Sequence, residues 1–330
     1  MAVAGPGRVS WENRREVLRK TRERAGFLYT MSSVVVYGLM PALVRLIYDA
    51  SELSALQASF WRFALAAPVL WLLALRSHPN HHPFSPRARA SLWRTVFVGI
   101  FYGLTSVLAF QSLLYIPAAV FIILFYTFPI IVVSVARILG ERLPRVFWLA
   151  LILTLGGVAL TAIAELSGAG EVDAVDERSL LGVLLALASA LAVALYFTVN
   201  QRILRGHGGV TRGVVWILTS ASVTLFVVAQ LTGEGIGLDA IGDAWALLLF
   251  FGVCSTSFSV YMLNLGIQRL GAARASVVAT SEPIFTLFFA WLLLGEWLQL
   301  PQFIGGALIL AGVVLLTWRQ MRAGVTGGSA

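Results

Sequence analysis

Long apolar runs divide this chain from end to end. Ten of them approach the roughly 20 residues a helix needs to cross a hydrocarbon core: 27–47, 55–75, 93–114, 117–139, 147–164, 180–200, 213–232, 244–267, 275–294 and 300–318. Each run is continuous rather than alternating, which predicts helices and argues against a closed β-barrel. No connection between them is long enough to hold a soluble domain. The expected fold is an all-α integral membrane protein with ten transmembrane helices.

Composition agrees with the pattern. Apolar residues make up 58% of the 330 and charged residues only 12%, about half the share of roughly 25% in a soluble domain. A surface this poor in charge must meet lipid. The single cysteine, Cys254, lies inside an apolar run, so no disulfide framework and no cysteine metal site is expected.

Charge then sets direction. With the N-terminus inside, the segments 1–26, 76–92, 140–146, 201–212, 268–274 and 319–330, with Arg94 and Arg137 at helix ends, hold 21 of the 24 basic residues. Arg45 and Arg178 fall on the other side, and Arg62 lies within a span. This is the positive-inside bias, and it places both termini in the cytoplasm of a multi-pass protein of the cell (inner) membrane. Basic residues dispersed between spans do not form a nucleic-acid surface. Residues 1–26 are too charged for a signal peptide. They read either as a surface helix on anionic lipid or as a disordered topology anchor.

The chain also repeats itself. PAAVFIILFYTFPIIVVSVARILGERL, from Pro117, runs parallel to GAARASVVATSEPIFTLFFAWLLLGEWL, from Gly271. Pro129 matches Pro283 at an offset of 154, and Glu141 matches Glu296 at 155. LGGVALT at 155–161 matches AGVVLLT at 311–317. The pattern predicts a duplicated five-helix unit, 27–164 and 180–318, joined by an outer linker 165–179 and flanked by the cytoplasmic segments 1–26 and 319–330. Five is odd, so the second copy enters the membrane inverted, an architecture suited to secondary transport by alternating access.

The motifs SEPIFTLFFAWLLLGEWL, ALYFTVNQRIL and the intramembrane Arg62 carry a resemblance to the EamA-type family of the drug/metabolite transporter superfamily over about residues 27–318. The first copy departs from it at RILGERLP, where Arg137 stands in place of an apolar residue. The resemblance implies export or exchange of small metabolites such as amino acids or amphiphilic compounds. It does not name the substrate.

Several polar residues stand inside the spans. Glu282 is the eighth residue of its run, roughly 10–12 Å from the cytoplasmic end at 1.5 Å per residue. An ionisable group at that depth marks a cavity or a partner. Pro283 beside it predicts a kink, as Pro129 does in the first copy. The pair suits a proton or cation site; the alternative is a structural carboxylate satisfied by Ser276, Ser281 or an arginine. Arg62 is expected to pair with Glu282, to receive a substrate carboxylate, or to snorkel outward. In the eighth helix Cys254, Ser257, Tyr261, Asn264 and Gln268 are spaced to share one face. Tyr196 belongs to a shorter stripe with Ser189 and Asn200, and Tyr102 to one with Thr105 and Ser112. These stripes predict a wet central cavity, with backbone bonding and interhelical hydrogen bonds as the alternatives. Glu141 and Glu296 read as helix-end residues. Gly99 and Gly103, and Gly182, Ala186, Ala190 and Ala194, read as close-packing faces.

Other classes fit less well. There is no GxxxxGK[ST] loop for ATP and no G-x-S-x-G, and all four histidines lie in loops without acidic or cysteine neighbours. No enzyme, metal or cofactor is expected. A lipid or lipid-linked-precursor flippase is the nearest alternative, and a membrane-embedded enzyme the more distant one. The partners expected are a small metabolite, protons and membrane lipid, with a homodimer left open.

Overall fold

The computed structural model describes residues 11–76, 86–113, 115–116, 118–141, 143, 145–168, 177–206, 210–295 and 300–322. The histidine-bearing stretch 77–83, His207, the middle of the linker, Glu296 and both chain ends lie outside them. Among the described residues every regular element is helical: α1 (Trp11–Gly38), α2 (Met40–Asp49), α3 (Ala55–Leu75), α4 (Pro86–Leu113), α5 (Ala118–Phe125), α6 (Phe128–Ile138), α7 (Arg145–Gly168), α8 (Glu177–Gly206), α9 (Val210–Leu231), α10 (Trp245–Leu249), α11 (Ser257–Leu270), α12 (Ala272–Ala279), α13 (Glu282–Leu294) and α14 (Leu300–Arg322). Among the described residues, eight helical stretches are long and apolar enough to cross a membrane. The fifth and tenth predicted runs form shorter apolar helices, Arg145–Leu160 and Leu300–Leu315, within the described side chains.

At three places a proline marks where a helix breaks, although α3 runs on through Pro68. The ring clashes with the carbonyl four residues back and supplies no N–H. Accordingly α5 ends at Phe125, four residues before Pro129, and α12 ends at Ala279, four before Pro283. Both prolines then sit in the first turn of the following helix, as does Pro41 at the start of α2, where the missing N–H costs nothing. The expected kinks are therefore full breaks. The eighth run is interrupted differently: a wide π-helical stretch, Phe250–Thr256, separates α10 from α11.

Of the N-terminal segment, residues 1–10 lie outside the described residues and the rest is helical. From Trp11 it continues α1 without interruption, because no proline or turn glycine intervenes. Gly26 allows this helix to lie directly on Arg269 and Leu270. Arg22 donates to the Gln268 carbonyl at 3.2 Å, and Arg274 forms an ion pair with Glu23 at 3.1 Å.

Helix packing exchanges partners between the two copies. α1 packs along α11 as α8 packs along α4, α1 meets α12 and α13 as α8 meets α5 and α6, and α7 pairs with α14. Glycines let the backbones close up where helices cross. A Cβ on Gly99 would meet Ser220 Oγ and the Ile217 carbonyl of α9, and one on Gly157 would meet the Gly305 carbonyl of α14. The expected small face of α8 is buried, with Ala186, Ala190 and Ala194 sealed against their neighbours.

The main core, around Phe63, Val98, Tyr196, Leu218 and Ile267, draws on both copies. Two smaller clusters cap it. One holds Val133, Phe147, Leu151 and Val277; the other holds Met40, Leu43, Ile47, Leu53, Leu248 and Phe251.

Candidate functional site

The helix breaks bring polar groups into the centre of the bundle. Glu282 opens α13, where the positive end of the helix dipole faces its carboxylate. Tyr126, in the break between α5 and α6, lies within close electrostatic reach of that carboxylate. The break of one copy thus meets the break of the other. Ser281 does not satisfy Glu282: its hydroxyl donates to the Val278 carbonyl at 2.7 Å. Ser276 likewise donates to the Ala273 carbonyl at 2.9 Å. The expectation that serines hold the carboxylate fails, because a short hydroxyl in a helix finds its own backbone first.

Arg62, on α3, lies within electrostatic reach of Glu282, Tyr37 and Tyr102. Among the described residues it makes no ion-pair contact with Glu282. Its guanidinium stands 4.4 Å from the Phe63 ring centroid and 5.8 Å from that of Phe251. It donates to Ser106 Oγ at 3.4 Å and approaches Met40 Sδ at 3.8 Å. Arg62 Nε is buried with no hydrogen-bond partner, so the side chain turns into the bundle and does not snorkel outward. A buried, unsatisfied donor on a cation is costly and suits an anionic group arriving from elsewhere.

Between these charges runs a chain of tyrosines. Tyr37 and Tyr102 share a hydroxyl–hydroxyl bond of 2.7 Å. Tyr102 stacks on Tyr196 with ring centroids 4.6 Å apart and 24° between planes. Asn264 Nδ2 donates to the Tyr196 hydroxyl at 2.7 Å, and Asn200 donates to Asn264 Oδ1. Of the residues expected at the site, Tyr102, Tyr196, Asn264, Arg62 and Glu282 fall in this neighbourhood.

Others do not. Tyr261 pairs instead with Thr211 at 3.1 Å, at the start of α9. Ser257 is buried and donates to the Ala66 and Gly252 carbonyls at 3.2 and 3.0 Å, as helix-packing glue. Cys254 faces outward, because the π-helical stretch widens the turn and rotates it off the stripe. Ser112 and Ser189 donate to the Gly182 and Thr105 carbonyls of the facing helix. Thr105 bonds Phe101 in its own helix. Glu141 accepts from Gln201 Nε2 at 2.9 Å, which ties the end of α6 to α8 and fits a structural role.

Sequence reasoning missed Tyr37, Tyr126, Ser106 and Met40. A signal was present for the tyrosines. Tyr126 stands three residues before Pro129, inside the break, and Tyr37 four before Pro41, in the last turn of α1.

Broken membrane helices meeting at a half-buried acid, a half-buried arginine and a polar aromatic chain fit a multi-pass membrane transporter. Comparison with known proteins specifies it further. The sequence profile of the EamA-like transporter family matches residues 24–163 and again 180–318. The chain therefore belongs to that family, within the drug/metabolite transporter superfamily. It is 22% identical over 317 residues to the uncharacterized transporter YcbK of Bacillus subtilis, covering 94% of this chain and 99% of that one. It is 24% identical over 302 residues to the pseudopaline exporter CntI of Pseudomonas aeruginosa, covering 89% and 96%. A protein of known crystal structure superposes with a TM-score of 0.73 over 90% of this chain and 98% of its own, at 16% identity, which establishes a shared fold.

Proposed function

We propose that this protein is a secondary transporter that exports or exchanges small metabolites by alternating access, and that Glu282 exchanges a proton during the cycle. The carrying observation is the meeting of the two copies' helix breaks at Glu282 and Tyr126. Breaks at matching places in two repeats give joints about which each half of the bundle can rock against the other. The reading includes ten spans arranged as two inverted five-helix repeats, 27–164 and 180–318, with both termini in the cytoplasm of the inner membrane. The exchange of helix partners between the copies supports that relation.

Arg62 with its unsatisfied Nε is assigned to the anionic group of the substrate, and Tyr37, Tyr102 and Tyr196 to its apolar body. Export is favoured over uptake by the relative named as an exporter. A strain overproducing the protein should resist, and accumulate less of, at least one compound in a panel of toxic amino-acid analogues and amphiphilic metabolites, and the Arg62→Ala variant should lose that resistance. Resistance undiminished in the variant would remove Arg62 from the substrate site.

A further inference from the structure

At one end of the bundle the connection between α9 and α10 does not loop freely. It lies across the opposite copy. Glu234 accepts a hydrogen bond from Ser54 Oγ, and its carbonyl accepts from Gln57 Nε2 at 2.9 Å. The Ile236 carbonyl accepts from the Trp61 indole at 2.8 Å, and the Ala240 carbonyl from the Glu52 N–H at 3.0 Å. Four tethers within seven residues hold this strap to the start of α3. Ser54 and Gln57 also form the capping box of α3, so the strap grips a rigid helix end. Gly237 makes the fit: its φ is +63°, and a Cβ there would lie 2.6 Å from the Gln57 carboxamide.

Beneath the strap is the small apolar cluster of Met40, Leu43, Ile47, Leu53, Leu248 and Phe251, separate from the main core. It is a plug built from α2, the α2–α3 connection, α10 and the π-helical stretch. Two of its residues touch Arg62: Met40 approaches the guanidinium and Phe251 stands beside it. Trp61, the residue the strap holds, precedes Arg62 in the chain. The π-helical stretch packs on the same turn, since Gly252 faces the Arg62 carbonyl and Ser257 bonds the Ala66 carbonyl. π-Helical turns concentrate where helices adjust in function.

We propose that the 232–242 strap and this plug are a gate over Arg62, closed in this structure, with Trp61 as the latch that couples strap position to the orientation of Arg62. The inference rests on the transport reading above. The plug shares few residues with the main core, so it opens as a local unit while the rest stays packed. Release of the Ile236–Trp61 and Glu234–Gln57 bonds frees the strap, the plug parts between α2 and α10, and Arg62 meets the solvent on that face. The strap spans both copies, so its closure reports their relative position.

Two measurements test this in a Cys254→Ala background, which removes the single, outward-facing cysteine. In the first, Ser54→Cys/Glu234→Cys is bridged with a short bis-methanethiosulfonate in proteoliposomes. Transport should stop when bridged and return on reduction; a bridged protein that carries substrate at the unbridged rate overturns the gate. Failure of the wild type itself to carry any compound of the panel counts against the transport reading and not against the gate. The second measurement needs no substrate. Ser106→Cys, beside Arg62, is labelled with an impermeant thiol reagent from the strap's face, with and without Gly237→Ala. Alanine strains the left-handed turn and collides with Gln57, so labelling should quicken roughly tenfold. An unchanged labelling rate overturns the gate whether or not transport is seen.

Discussion

At the scale of residues, the account turns on two charges that no contact joins. Arg62 is held by aromatic faces, a serine and a thioether, with one donor left over. If that donor receives the substrate's anionic group, Arg62→Ala should abolish transport while the protein still reaches the membrane. Arg62→Lys should recover only part of it, because lysine lacks the planar fork that holds an oxyanion at two points. Uptake and efflux assays on purified membranes check both, and full activity in the alanine variant would leave Arg62 a packing residue. Both charges were legible in the sequence, since an ionisable side chain inside an apolar run has few explanations. Their partners were less so. Ser257 and Ser189 look like cavity residues by spacing, yet a hydroxyl's bond to a backbone carbonyl leaves no trace in the pattern. Tyr37 and Tyr126 look like core aromatics until the proline breaks are placed.

Elements tell a similar story. The apolar runs located the helices well, and Pro129 and Pro283 marked discontinuities in matching places. The sequence showed no cause for the π-helical stretch at Phe250–Thr256, because one extra residue per turn changes neither composition nor length. That single turn is what misplaced Cys254. Close packing was easier to read: the Gly99/Gly103 pair predicted a helix contact, and α9 is what fills it. Gly99→Leu should force α4 off α9 and lower stability by about 1–3 kcal/mol, as overpacking does. The loss would appear as a lower unfolding temperature in detergent. An unshifted unfolding temperature would mean the two helices already have room to spare.

For the whole molecule, duplication was legible from two short segments, and the family profile finds it twice. How the copies interlock was not, because helix partners such as α1 with α11 are separated by more than 200 residues and share no motif. The proposed orientation is testable directly. In the Cys254→Ala background, cysteines placed within 168–177 or 233–243 should react with an impermeant thiol reagent added outside intact cells, and one within 79–85 should not. Strong outside labelling of 79–85 would reverse the topology and turn the proposed gate to the cytoplasm.

The central claim is that the two copies meet at a carboxylate that loads and unloads a proton as the site changes sides. Glu282→Gln keeps the shape and the capacity to hydrogen-bond beside Tyr126 but cannot ionise. The decisive measurement is transport by purified protein in liposomes, with and without an imposed pH gradient, for wild type and Glu282→Gln side by side. The account predicts that the gradient drives accumulation by the wild type, and that the glutamine variant, though folded, shows none. Gradient-driven accumulation by the variant at the wild-type rate would contradict it and leave Glu282 a structural acid.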